Sequence, residues 1–94
     1  MNKNFNANYA FVFYDINEKR VNKVFKACKK YLEHYQYSVF RGHITPSNIR
    51  ALKNELQKII DPEEDRVSFI LMMNENAFRE MELGRKKTED DLFL

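Results

Sequence analysis

Two short and nearly unbroken apolar runs constrain this chain more than anything else in it. One is Tyr9-Ala10-Phe11-Val12-Phe13-Tyr14, and the other is Val67-Ser68-Phe69-Ile70-Leu71-Met72-Met73. Runs of that length, rich in aromatic and β-branched residues, suit strands that are buried on both faces. Between them the period changes. Val21, Val24, Phe25, Cys28, Tyr31 and Leu32 recur at helical spacing and define a core-facing stripe on a helix from about Asn17 to about Glu33. Tyr35 to Ile44 returns to aromatic and β-branched residues, which predicts one or two short strands with Arg41-Gly42 as a turn or bulge. Thr45-Pro46 marks a second helix start, with Thr as N-cap and Pro in the first turn. Ile49, Leu52, Leu56, Ile59 and Ile60 carry that helix to a stop at Asp61-Pro62, and the acidic loop Glu63-Glu64-Asp65 leads into a strand over Arg66 to Met73.

The expected order is strand, helix, one or two strands, helix, strand. This is an α+β chain of the ferredoxin-like split βαβ type (βαββαβ), an antiparallel sheet with both helices on one face. Residues 1–94 are enough for one domain and too few for two cores. The second face of such a sheet is left bare, and alternate residues of two apolar strands would meet water there. Self-association through that face is the economical solution, so a two-fold homodimer is expected. Residues 78–94 combine Met81, Leu83, Leu92, Phe93 and Leu94 with the basic triplet Arg85-Lys86-Lys87. They read as a C-terminal strand or arm crossing to the dimer mate, or else as a frayed end.

The net charge of +2 points to no particular partner, but its distribution is uneven. From Asn17 to His34 there are six basic residues (Lys19, Arg20, Lys23, Lys26, Lys29 and Lys30) against Glu18 and Glu33. Lys19, Lys23, Lys26 and Lys30 are spaced to share one helix face, which reads either as a solvated surface or as a site for a polyanion. The helix that carries them begins just after Asp15, the acidic residue that closes the first apolar strand. By spacing alone Asp15 suits capping of that helix as well as it suits metal binding. Cys28 is the sole cysteine and falls on the apolar stripe, so a disulfide within these residues and a cysteine-based zinc site are excluded. His34 and His43 form no ligand pair with it, and Ser38 lacks the glycine-flanked turn of a nucleophilic serine. No stretch reaches membrane-spanning length and the first residues lack the apolar core of a secretory leader, so a cytoplasmic location with no membrane partner is expected.

The segment Phe13-Tyr14-Asp15-Ile16-Asn17-Glu18-Lys19-Arg20-Val21, followed by Gln36-Tyr37-Ser38-Val39-Phe40-Arg41-Gly42, resembles the second family of CRISPR-associated proteins. This Cas-two family partners the spacer integrase. The resemblance continues through Thr45-Pro46 to the strand at Val67, with a looser echo at Met81-Glu82-Leu83-Gly84. It implies a ferredoxin-like homodimer that acts in spacer acquisition, bridging the integrase and holding DNA. Some family members are metal-dependent nucleases on RNA or DNA. By the same resemblance, Asp15 is the metal-binding and catalytic aspartate. Its two copies would face each other across the dimer axis and hold one Mg²⁺ (or Mn²⁺), with Tyr14 and Phe40 flanking the site. Arg20, Lys23 and His34 stand where the family carries phosphate-contacting groups, His34 replacing a common arginine. Lys26, Lys30 and Arg41 complete the candidate nucleic-acid-binding set.

Three functions follow from these expectations. The first is a dimeric adaptor that binds nucleic-acid backbone through the lysine face. The second is a Mg²⁺-dependent endonuclease or endoribonuclease centred on Asp15. The third is a toxin-like messenger-RNA interferase of the same fold.

Overall fold

The structure, a computed structural model, describes residues 6–85. Along the chain the elements are β1 (Tyr9–Asp15), α1 (Val21–Lys29), β2 (Glu33–Gln36), β3 (Val39–His43), α2 (Pro46–Ile59) and β4 (Arg66–Met72), followed by a short 3₁₀ turn, Glu75–Ala77. The four strands form one sheet in the order β2-β3-β1-β4, and every adjacent pair is antiparallel. β1 is therefore an inner strand. It pairs along its full length with β4, from Tyr9 opposite Met72 to Asp15 opposite Arg66.

Strand alternation divides β1 between two environments. Ala10, Val12 and Tyr14 point to the helices, where they join Phe40 of β3, Val24, Ala27 and Cys28 of α1, and Ile49, Leu52 and Leu56 of α2 in one buried cluster. Tyr9, Phe11, Phe13 and Asp15 point the other way, and Phe13 is 41% exposed, so the expectation of a strand buried on both faces holds only on the helix side. Burial pushes the Tyr14 hydroxyl up to about 12 and, with a contribution from Glu55, the Cys28 thiol up to about 12. Cys28 is thus a protonated, buried packing residue at neutral pH.

α2 starts where its sequence signal places it: the Asn48 backbone N–H donates to Thr45 Oγ1 at 3.2 Å, and Pro46 is the first helical residue. The chain leaves the helix at Ile60, just before Asp61-Pro62.

α1 is shorter than its apolar stripe predicts. Residues 17–20 form a turn, with the Val21 amide donating to the Asn17 carbonyl at 3.1 Å. At the other end, Tyr31 and Leu32 donate back to Cys28, and the chain turns at once into β2 at Glu33. The β2–β3 reversal also differs from expectation. It lies at Tyr37-Ser38, where Tyr37 takes φ +43° and its carbonyl accepts from His34 Nε2 at 2.8 Å. Gly42 instead sits within β3 opposite Ala10. Its φ of +148° explains the glycine, since a Cβ there would meet neighbours only at an ordinary 3.7 Å. Among the described residues no helix is long and apolar enough to cross a membrane.

Leu52 is fully buried at the centre of the helix–sheet contact. Leu52→Ala is expected to cost about 2–5 kcal/mol, read as a lowered midpoint in urea unfolding at unchanged slope.

Candidate functional site

Asp15 ends β1 on the face that carries no helix, with its carboxylate exposed and Arg66 of β4 directly opposite. Tyr14 and Phe40 do not flank it. Both are buried on the helix side of the sheet, their rings stacked with centroids 6.3 Å apart, so strand alternation turns them away from the Asp15 carboxylate.

The six candidate nucleic-acid-binding residues (Arg20, Lys23, Lys26, Lys30, His34 and Arg41) separate into two groups. Lys23 and Lys26 are exposed on α1, and no ion pair occupies either among the described residues. The other four are engaged within the chain. Lys30 donates to Glu55 of α2 at 2.5 Å. His34 packs edge-on against Phe25, with centroids 4.9 Å apart, and lies 5.0 Å from Phe40. Arg41 is on the opposite face of the molecule from the lysines: its guanidinium lies 4.1 Å over the Tyr35 ring and pairs with Glu80, with Glu82 4.0 Å away.

Arg20 is the most firmly held. Its Nε donates to Asp65 Oδ2 at 2.6 Å, and its Nη2 donates to Asp65 Oδ1 at 3.1 Å and to Glu64 Oε2 at 2.7 Å. The Asp65 side chain is fully enclosed and takes two further hydrogen bonds, from the backbone N–H groups of Asn17 and Asp61, both at 2.8 Å. Chiefly through Arg20, and helped by those backbone donors against the cost of burial, the Asp65 carboxyl is held far below the usual carboxylate range. The sequence suggested only an acidic loop here. Which of three consecutive acids turns inward is a tertiary fact, although a lone arginine ahead of a helix facing an acidic loop was a usable signal.

A second arrangement unread in the sequence covers part of the helix-free face. After β4 the chain turns back across its own sheet. Phe78 packs on Tyr9 and Phe11, each ring 5.3 Å away, which is why Tyr9 is buried on an otherwise open face. Glu80 then meets Arg41 on β3, and Glu82 accepts from the Tyr35 hydroxyl on β2 at 2.7 Å. Residues 78–85 thus lie over their own sheet, while the remainder of the expected arm, 86–94, is outside the described residues.

Among the described residues no cluster of three or more His, Cys, Asp or Glu side chains could hold a metal ion. What a single chain offers at this end of the helix-free face is the exposed Asp15 carboxylate. That donor type fits Mg²⁺, which binds through one or two carboxylates and keeps several of its waters.

A four-stranded antiparallel sheet backed by two helices, with an acidic strand end and a lysine-bearing helix, defines a small α+β domain. The chain belongs to the Cas2 family of CRISPR-associated proteins: the profile described as CRISPR associated protein Cas2 matches residues 8–81. It is 42% identical over 82 residues to a CRISPR-associated endoribonuclease Cas2 of Thermotoga maritima, covering 87% of this chain and 94% of that one. A Cas2 endoribonuclease of Thermodesulfovibrio yellowstonii is 47% identical over 79 residues, 84% of this chain and 90% of the relative. Among solved structures, a crystal structure of Cas2 superposes with a TM-score of 0.79 at 36% identity, covering 86% of this chain and 91% of that one.

The Asp65 shift carries a pH dependence. Its folded-state pKa lies below the unfolded value of about 3.9, so the stability it contributes is fully present above that value and is lost as pH falls toward the folded pKa. Acid unfolding followed by circular dichroism should therefore be less steep below pH ~4 in Asp65→Asn than in the unaltered chain. The substitution should also lower stability at pH 7.

Proposed function

We propose that this chain acts in CRISPR spacer acquisition as a homodimeric nucleic-acid-binding adaptor for the spacer integrase, with a Mg²⁺-dependent endonuclease site formed by two Asp15 carboxylates. The single observation that carries this reading is that Asp15 shares the helix-free sheet face with exposed apolar residues. Phe13 is 41% exposed and Ile70 is 51% exposed on that face. A ferredoxin-like sheet pairing with a second copy through this surface would remove those residues from water. It would also bring the ends of two β1 strands, each with one carboxylate, toward a common axis. The C-terminal arm would complete the pairing at its margin.

In such a dimer Asp15 of each chain would supply an oxygen ligand to Mg²⁺. A cation so bound supplies Lewis-acid stabilisation of charge on a scissile phosphate. The chain's own contribution is otherwise positional: Lys23 and Lys26, exposed and unpaired among the described residues, offer backbone phosphate contacts on the helix side. Of the candidate set, Arg20, Lys30, His34 and Arg41 have partners within the chain, which leaves Lys23 and Lys26, beside the exposed Lys19, as the electrostatic footprint. The names of the relatives favour RNA among the substrates to be tested first.

Two measurements test this. Replacing Lys23 and Lys26 together by Glu is expected to weaken duplex binding and to lower the salt slope of log K by about 1 for each phosphate left without its lysine. Unchanged binding would remove the lysine face from the proposal. Spacer acquisition in cells complemented with Asp15→Ala separates the remaining roles. Full restoration, with cleavage abolished in vitro, is expected if the adaptor role dominates; failure with an intact dimer would make metal-dependent chemistry the essential step.

A further inference from the structure

Asp65 and Arg20 belong to neither the apolar core nor the exposed lysine pair, yet they form the densest polar contact described in the protein. Four donors converge on the two Asp65 oxygens: Arg20 Nε and Nη2, and the backbone N–H groups of Asn17 and Asp61. A carboxylate so surrounded is fixed in both position and orientation, since each oxygen accepts two bonds and the guanidinium engages both oxygens as a planar fork. The two loops it joins are those that bracket Asp15. Asn17 lies two residues beyond Asp15, and Asp65 lies one residue before Arg66, which faces Asp15 across the sheet.

Both loops are further tightened by their own turns. The Asn17 side chain accepts from the Lys19 amide at 2.9 Å, and the Asp61 side chain accepts from the Glu63 amide at 2.9 Å. The Asp65 amide closes back on the Asp61 carbonyl at 2.8 Å. Without the contacts from Asn17 and Arg20 to Asp65 and Glu64, residues 16–20 would be a short connection between strand and helix, held by local turns.

We propose that Asp65 and Arg20 are positioning residues for Asp15: together they staple the β1–α1 loop to the α2–β4 loop and so fix the direction in which the Asp15 carboxylate is presented. This role rests on the reading of Asp15 as a metal ligand. It also gives Arg20 a task distinct from phosphate contact, because its Nε and Nη2 donors are directed at Asp65 and Glu64. Arginine is required rather than lysine, since an ammonium cannot span both oxygens of a carboxylate in the plane that the guanidinium occupies.

The test uses the full chain with Arg20→Lys and Asp65→Asn, and Glu64→Gln as a control at the exposed arm of the same network. Two quantities are measured: amide hydrogen exchange along the chain, and Mn²⁺ binding without nucleic acid. The staple predicts faster exchange at residues 16–20 in both variants, relative to the Val12 and Phe40 amides, which report global opening. It also predicts Mn²⁺ affinity weakened about tenfold or more, with duplex affinity and its salt slope unchanged. Glu64→Gln should behave like the unaltered chain.

Loop exchange that keeps pace with the core amides would overturn the proposal. So would intact Mn²⁺ affinity in Arg20→Lys combined with a salt slope lower by about 1 in Arg20→Gln, which removes the charge; that pair of results would return Arg20 to phosphate binding. Asp15→Ala is the separate check on the underlying reading. If it leaves Mn²⁺ binding untouched, the metal assignment fails, and the staple then stands or falls on loop exchange alone. Should Asp65→Asn fold poorly, Arg20→Lys decides, because it retains the charge and removes only the fork.

Discussion

Everything in this small domain follows from a sheet that has helices on one side only. Two helices can bury one face of four strands, and they do so through Val24, Ala27, Cys28, Ile49, Leu52 and Leu56 packed on Ala10, Val12, Tyr14 and Phe40. The other face has to be handled by different means, because a row of aromatic and aliphatic side chains left in water is unfavourable in proportion to its area. Part of the solution is internal: the segment after β4 lays Phe78 on Tyr9 and Phe11 and anchors itself through Glu80 and Glu82. Phe13 and Ile70 remain outside that cover. The exposed carboxylate of Asp15 stands on the same face, so whatever covers the apolar remainder also decides what approaches the acid.

The parts of this arrangement legible in the sequence were those set by period. The apolar runs gave β1 and β4, the 3.6-residue stripe gave α1 and α2, and Thr45-Pro46 gave the start of α2 to the residue. The misplacements have physical causes. α1 is framed by turns rather than extended through them, because Asn17 and Arg20 are directed at Asp65 and because Leu32 leaves the helix to enter the core before β2. Arg41-Gly42 reads in the sequence as a turn or bulge because of its glycine. Gly42 does take a positive φ, but within β3; the reversal itself falls at Tyr37, whose φ of +43° is one that local propensity alone would reject.

Charge is illegible in the chain for a different reason. A sequence shows how many charges a segment carries but not which are already neutralised. Of the basic residues that looked available, Arg20, Lys30 and Arg41 each meet a carboxylate from a distant part of the chain, and His34 is absorbed into aromatic packing. Lys23 and Lys26 differ only in having nothing acidic across from them among the described residues. Net charge of a segment is therefore a poor measure of its capacity for a polyanion. The count that matters is of cations left over once the fold has formed its internal pairs.

The span of the Asp65 contact has a consequence for the order in which this protein becomes competent. Asn17 and Asp65 are separated by 48 positions in the chain, and contacts of that separation carry a large closure entropy that local turns do not. During synthesis, β1 and the turn at residues 17–20 emerge long before their partner does. A nascent chain that stops short of Asp65 can hold a β1–α1 loop only by its local hydrogen bonds. The acidic end of β1 is thus completed only once residue 65 has been made, and a product truncated before it, however well its first helix forms, lacks the far side of the clasp.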